Sequence, residues 1–172
     1  MIYNLISKNT TKLSKNEIKD ICKLKEEQWK HGIKSQIDYF NKNIKKRDVH
    51  NLFFINSKLA GYTLLRKRSC LINKTKKKYF LFDTLIIKKK FRKNNKSILL
   101  MNFNNEIIKQ HKMISFLICN NNLIKFYQKF DWVHIKKNDL LILDYSFDSN
   151  GMVFNYGNLK KNKTKYLFYI NK

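Results

Sequence analysis

A strand-to-helix junction at residues 85–100 has the residue types of a phosphate-binding turn. Three apolar residues end the predicted strand: Leu85, Ile86 and Ile87. A polar turn follows, and its basic residues are Arg92, Lys93 and Lys96. Such a turn gathers backbone N–H groups at a helix N-terminus, where the helix dipole favours an anion. No glycine occurs from residue 88 to 98, so a solvated basic turn before an ordinary helix explains this segment alone equally well.

An acidic residue interrupts the strand that leads into this turn. Residues 79–87, YFLFDTLII, are otherwise the most strand-like run of the chain, and Asp83 lies in their middle. A carboxylate there could take a proton from an amine, directly or through water. We therefore predict that Asp83 is a general base and that the apolar run buries it. An edge-facing or salt-bridged aspartate is the alternative.

The histidines and cysteines do not have the spacing of a metal site or of a disulfide framework. No two histidines lie four residues apart, and the three cysteines form no CxxC pair. These residues are His31, His50, His111, His134, Cys22, Cys70 and Cys119. We expect no metal, a reducing cytoplasmic location, and Cys119 to be a small buried residue.

A second motif follows one predicted strand later. Residues 120–132 read NNNLIKFYQKFDW, and residues 92–97 read RKNNKS. In this order and at this separation, the two segments resemble the GNAT superfamily of acyl-CoA-dependent N-acetyltransferases. That family has an apolar strand, Arg/Gln-x-x-Gly-x-Gly/Ala and a long helix, then a strand, an Asn and an aromatic-Tyr pair. The resemblance covers about residues 14–145.

The resemblance implies a mixed α/β sheet with splayed central strands flanked by helices, and acetyl-CoA as co-substrate. Acetyl-CoA would lie in a cleft between strands 80–87 and 115–119. The backbone of Leu85, Ile86 and Ile87 would pair with the pantetheine arm, and Asn120 would bind the arm from the other side. The loop that would hold the pyrophosphate comprises Arg92, Lys93, Asn94, Asn95, Lys96 and Ser97.

The resemblance also implies direct attack of an amine on the thioester through a tetrahedral intermediate. The leaving thiol has an ordinary pKa of about 8.5, so a phenol with an ordinary pKa of about 10 can donate a proton or hydrogen bond to it. Tyr127 stands at the family's tyrosine position and is our candidate acid. The alternative is a core helix tyrosine. A backbone N–H near Ile86 would stabilise the oxyanion.

This chain lacks several glycines of the family pattern. Lys93, Asn95 and Ser97 replace residues of the phosphate loop, and Asp131 replaces the glycine before Trp132. Asn and Asp are the non-glycine residues best able to adopt left-handed backbone angles, so the turns at Asn95 and Asp131 remain possible.

Composition leaves the partner open within limits. The 37 basic and 12 acidic residues give a net charge of +25, but Lys, Asn and Ile make up 75 of the 172 residues, which is typical of A/T-rich coding. The basic residues are spread along the whole chain, which disfavours a nucleic-acid-binding protein. A small-molecule amine is the favoured acceptor, such as an amino sugar, an aminoglycoside-like molecule or an amino-acid derivative. A protein N-terminus or lysine acceptor, and a degenerate binding module, are the alternatives.

The elements expected in order are a strand, two helices, three strands, a helix, a strand, a helix and further strands. Ser14 and Glu17 form a capping box for the first helix, and Ser35 is the predicted cap of the second. A turn at residues 56–58 joins two predicted strands, 51–55 and 59–65, into a hairpin. Residues 146–172 are read as polar loop with one strand at 166–170. We predict a single domain over 1–172 with no membrane span; its last segment is long enough to complete the site of a second copy in a homodimer.

Overall fold

The computed structural model describes residues 1–92, 95–144, 150–156 and 166–170. The helices in these ranges are α1 (Lys15–Gln28), α2 (Ile33–Asn43), α3 (Lys96–Gln110) and α4 (Asn121–Gln128). The strands are β1 (Tyr3–Asn9), β2 (Val49–Ile55), β3 (Lys58–Ile72), β4 (Thr75–Ile87), β5 (Ile114–Cys119), β6 (Val133–Ile135), β7 (Leu140–Ile142), β8 (Asn150–Phe154) and β9 (Tyr166–Phe168). This is the mixed α/β order that the sequence predicts.

The chain forms two compact units. The first comprises Met1–Arg66 and Thr84–Asn104, and the second comprises Lys67–Asp83 and Asn105–Lys172. Strands β3 and β4 and helix α3 contribute residues to both units.

In the first unit, β1, β2 and the start of β3 form an antiparallel ladder. The registers run from Tyr3↔Ile55 and from Val49↔Leu65. The β2–β3 turn consists of Asn56 and Ser57, both with positive φ (47° and 62°), as a two-residue hairpin requires. The predicted hairpin is confirmed, and β3 extends seven residues beyond its predicted end at 65.

Helix α1 begins at the predicted capping box. The Glu17 N–H donates to Ser14 Oγ at 3.1 Å, and the Ser14 N–H donates to Glu17 Oε2 at 2.8 Å. Such a cap typically stabilises a helix by about 1 kcal/mol. The second helix, α2, is confirmed, but its predicted cap is wrong. The helix begins at Ile33 after Gly32, whose φ of +87° suits glycine, and Ser35 lies inside it.

His50, a residue of β2, is a buried histidine of this unit. Its Nδ1 lies 2.8 Å from the Tyr62 hydroxyl, and its Nε2 lies 2.9 Å from the Thr10 hydroxyl. His50 is fully buried, and burial lowers its pKa to about 4 because the imidazolium would lose its water.

In the second unit, β5 pairs parallel with β4 and antiparallel with β8, and β8 also pairs antiparallel with β6. The interpretation of residues 150–154 as polar loop is therefore wrong. The strand β8 is short, but it is paired on both edges, and Gly151 admits the Phe116 ring 2.8 Å from where a Cβ would stand. Strand β9 pairs with β3 and with β7, which confirms a strand within 166–170.

Candidate functional site

The pairing of β4 with β5 covers only three positions. Tyr79 pairs with Ile114, Phe80 with Ser115 and Leu81 with Phe116. Within the second unit, β4 continues through residues 82–83 and β5 through residues 117–119, with no pairing between these stretches. Parallel strands that stop pairing leave backbone N–H and C=O groups available on their facing edges.

In the first unit, the last residues of β4 alternate in the direction of their backbone groups. The Lys88 N–H donates to the Ala60 carbonyl of β3 at 2.7 Å. The Ile86 carbonyl faces β3 as well, since its oxygen lies 3.2 Å from where a Cβ of Gly61 would stand. Because successive residues of a strand alternate, Leu85 and Ile87 present their backbone groups to the opposite edge. Of the three residues expected to bind the pantetheine arm, Ile86 thus has its backbone groups directed toward β3, whereas those of Leu85 and Ile87 are directed away from it.

The side chain of Arg92 donates two hydrogen bonds, both to residues of the first unit. Its Nε donates to the Ile87 carbonyl at 3.0 Å, and its Nη2 donates to Gln28 Oε1 at 2.6 Å. The guanidinium therefore joins the turn to the ends of β4 and α1. The residues next to Ile87 and Gln28 in the chain also interact: Lys88 and Glu27 form a salt bridge of 3.2 Å.

Lys96, the first residue of α3, also binds a residue of the first unit. Lys96 is buried; its Nζ donates to the Tyr3 hydroxyl at 2.6 Å and lies 4.3 Å from the centre of that ring. Asn95 has φ 53°, and its carbonyl accepts from the Ile98 N–H at 3.0 Å. Ser97 is half-buried in the first turn of α3. The predicted phosphate ligands Lys93 and Asn94 lie outside the described residues.

Tyr127 lies on α4 in an aromatic setting of the second unit. Its ring stands edge-on to Phe82, with centroids 6.2 Å apart, and contacts Trp132 and Phe126. Burial, with the nearby Cys119, raises the pKa of Tyr127 well above its usual range. Among the described residues, its hydroxyl has no hydrogen-bond partner. The phenol consequently keeps its proton at neutral pH and can donate it to a ligand.

The other predicted residues of this unit differ in exposure. Asn120 is exposed at the N-cap of α4, and its side chain makes no capping bond. Cys119 is buried, as expected, and burial raises its pKa to about 11. The expectation that Asp83 is buried is wrong: its side chain is exposed, because it alternates with the buried side chains of Phe82 and Thr84.

Three further residues, Gln28, Tyr3 and Asn150, contact the predicted site residues or their neighbours without any sequence pattern that predicts it. Gln28 and Tyr3 bind the cations of the turn, and the Asn150 side chain donates to Asn121 Oδ1 at 2.6 Å and lies 3.0 Å from His134 Nε2. Each is an ordinary polar residue far along the chain from its partner, so no local pattern marks it.

The described ranges contain no group of three His, Cys, Asp or Glu side chains that could hold a metal ion. None of the helices in them is long and apolar enough to cross a membrane.

No protein-family model matches this sequence, and no curated protein matches it in sequence. Solved structures do match. ElaA from Escherichia coli superposes with a TM-score of 0.67 and 16% identity over 88% of this chain and 99% of its own. An acyl-CoA N-acyltransferase from Pseudomonas aeruginosa superposes with a TM-score of 0.65 and 13% identity, over 88% of this chain and 99% of its own. The PaiA N-acetyltransferase from Thermoplasma acidophilum, solved with coenzyme A, superposes with a TM-score of 0.56 and 16% identity, over 91% of this chain and 100% of its own. With this element order and the early end of the β4–β5 ladder, the chain has the fold of the GNAT N-acyltransferases.

Proposed function

We propose that this protein is an N-acetyltransferase that moves the acetyl group of acetyl-CoA to a primary amine of a small molecule. The observation that carries the proposal is the early end of the β4–β5 ladder, after Leu81↔Phe116. A strand edge with free donors and acceptors can pair with the amides of the pantetheine arm as it would with another strand.

The backbone groups proposed to bind the arm are the N–H and C=O of Leu85 and the N–H of Ile87, which point away from β3. The Ile87 carbonyl already accepts from Arg92. One of their N–H groups is also the proposed donor to the oxyanion, in place of Ile86. The amides of the turn at 92–97 are proposed to hold the pyrophosphate at the start of α3, where the helix dipole favours negative charge. The Asn120 side chain makes no capping bond, and its amide is proposed to bind the arm.

Tyr127 is the proposed acid. When the amine nitrogen bonds to the acetyl carbon and the carbon–sulfur bond breaks, the electron pair stays on sulfur, and the phenol stabilises it with a hydrogen bond or a proton. Because burial raises the pKa of Tyr127, the phenol is a weak acid and a persistent donor. Asp83 remains the proposed base. Its exposure places it in contact with water, through which it would accept the proton that the ammonium must lose.

The acceptor is proposed to bind along the first two helices. A shallow groove along α2 is lined by His31, Gly32, Lys34, Ser35, Asp38, Tyr39, Lys42 and Asn43. The exposed carboxylate of Asp38 attracts an ammonium group. The Tyr39 ring already has a cation over it, since Lys25 Nζ lies 4.8 Å from the ring centre.

The direct test is a panel of amines incubated with acetyl-CoA, with release of the free thiol as the readout. The panel contains amino sugars, aminoglycosides, amino-acid derivatives and short peptides with free N-termini. Thiol release that depends on one small amine supports the proposal. Release only with peptides would move the acceptor to proteins, and binding of acetyl-CoA without turnover by any amine would make this fold a binding module.

A further inference from the structure

Asn105, a residue of α3 in the second unit, binds the turn that follows α4. Its Nδ2 donates to the Phe130 carbonyl at 3.0 Å, and its Oδ1 accepts from the Trp132 Nε1–H at 3.1 Å. Asn105 and Trp132 are both buried. Because an indole N–H can only donate and a carbonyl can only accept, this pair of bonds gives the Asn105 amide one orientation. A buried polar group that loses its partner is costly, so the two bonds hold the turn firmly.

The same turn fixes the backbone of Tyr127. The Tyr127 carbonyl accepts from the Trp132 N–H at 3.3 Å, and the Gln128 carbonyl accepts from the Asp131 N–H at 3.2 Å. Asp131 has a left-handed φ of 62°. Two such bonds around a left-handed residue form a Schellman motif, in which the residue that closes the motif often packs on the residue that opens it. Here these residues are Trp132 and Tyr127, and their ring centres are 6.2 Å apart.

We propose that Asn105 is a positioning residue for Tyr127, the proposed acid, and acts on it through Phe130 and Trp132. This inference rests on the proposed function. Among the described residues, the Tyr127 hydroxyl has no hydrogen-bond partner, so its direction is set by its ring and by the backbone that carries the ring. Trp132 contacts the ring through its indole and the backbone through its N–H. Asn105 in turn holds Trp132.

The other contacts of the Trp132 indole are ring contacts. Its centre lies 5.6 Å from that of Phe82 and 5.4 Å from that of Phe154. Dispersion between rings depends weakly on direction, whereas a hydrogen bond weakens steeply as its angle bends. The bond from Nε1 to Asn105 is therefore the contact that selects one orientation of the indole. A displaced indole would displace the Tyr127 ring with it.

The first experiment is a double-mutant cycle of Asn105→Leu and Tyr127→Phe, measured with the most active amine of the panel. Leucine is close in size to asparagine but forms neither bond. With Tyr127 present, Asn105→Leu is expected to lower kcat about 10-fold and to keep the KM for acetyl-CoA within about 2-fold, because a displaced acid slows the chemical step and not coenzyme binding. In the Tyr127→Phe background, the same change is expected to alter kcat less than about 2-fold. An unchanged kcat, or an equal loss in both backgrounds, would overturn the inference.

Two further variants separate positioning from a general loss of stability. Trp132→Phe keeps a ring beside Tyr127 and loses the bond to Asn105, so it is expected to lower kcat about 3-fold, again only when Tyr127 is present. Ile72→Ala is the matched control, because it removes buried contacts of the second unit in a core cluster that contains neither Tyr127 nor Trp132. It is expected to lower the melting temperature and to leave kcat unchanged. A loss of kcat in Ile72→Ala equal to that in Asn105→Leu would assign the effect to stability and overturn the inference.

The second experiment needs no turnover. It records the ring signals of the nine tyrosines in the free protein by carbon-13 NMR, with Tyr127→Phe to assign the signal of Tyr127. Neighbouring aromatic rings shift this signal, so Asn105→Leu is expected to move or broaden it, and Ile72→Ala to leave it in place. An unmoved signal in Asn105→Leu overturns this inference alone. A wild-type protein that releases no thiol with any amine overturns the proposed function, and this inference with it.

Discussion

Tyr127 stands edge-on to Phe82, with interplanar angle 85° and centroids 6.2 Å apart. This contact holds the ring of the proposed acid by packing, while its hydroxyl has no partner among the described residues. The side chain is therefore fixed through its carbon atoms and keeps its proton for a ligand.

We expect Tyr127→Phe to lower kcat about 100-fold or more, the usual contribution of a positioned acid, and to leave acetyl-CoA binding intact. The packing survives because phenylalanine keeps the ring, so the melting temperature should stay close to that of the wild type. Steady-state kinetics and a thermal shift with acetyl-CoA measure the two effects. Equal loss of binding and turnover would mean that Tyr127 has a structural role.

The pH profile of kcat should show no alkaline limb from Tyr127 below about pH 10. Burial raises the pKa of this phenol above its ordinary value of about 10, so the protonated, active form persists through neutral and mildly alkaline pH. The measurement is kcat from pH 6 to 9.5 at saturating substrates. A loss of activity near pH 8 to 9 that disappears in Tyr127→Phe would contradict this assignment.

The local features of this chain follow from its sequence, because they depend on residues close together. The Ser14–Glu17 capping box and the left-handed angles of Asn95 and Asp131 (φ 53° and 62°) need only a neighbour or a residue's own preference. The fold class follows from the order of such elements.

The remaining features depend on partners far along the chain. Arg92 is 64 residues from Gln28, so nothing in the turn's own sequence shows that its guanidinium is committed. Strand β8 has few residues and a glycine, and it forms because β5 and β6 offer edges on both sides. The exposure of Asp83 depends on which face of β4 the rest of the protein covers. An apolar run in the sequence does not show which face that is.

The left-handed turn predicts a contrast between two substitutions at residue 95. Asn95→Ala should destabilise the protein by about 1 kcal/mol, because alanine pays the steric cost of φ 53°, whereas Asn95→Gly should be neutral or stabilising. Urea unfolding measures both. Asn102→Ala, an exposed position within α3, is the control and should not destabilise. An Asn95→Ala variant as stable as the wild type would show that this turn carries no left-handed strain.

His50 predicts a loss of stability in mild acid. Its folded pKa of about 4 lies below its ordinary value of about 6.5, so its contribution is complete above pH 6.5 and is lost as pH falls toward 4. Between pH 7.5 and 5, this residue should lower the free energy of unfolding by about 2 kcal/mol. Urea unfolding at the two pH values, compared with His50→Asn, isolates the effect. The same pH dependence in both proteins would assign it to other groups.

Titration of acetyl-CoA into the wild type and into Ser97→Trp tests the central claim most directly. Ser97 lies half-buried in the first turn of α3, where an indole would occupy the space proposed for the pyrophosphate. We predict saturable binding at one site in the wild type and loss of that binding in a Ser97→Trp protein that still melts cooperatively. No binding by the wild type, or equal affinity in the two proteins, would contradict the proposed coenzyme site.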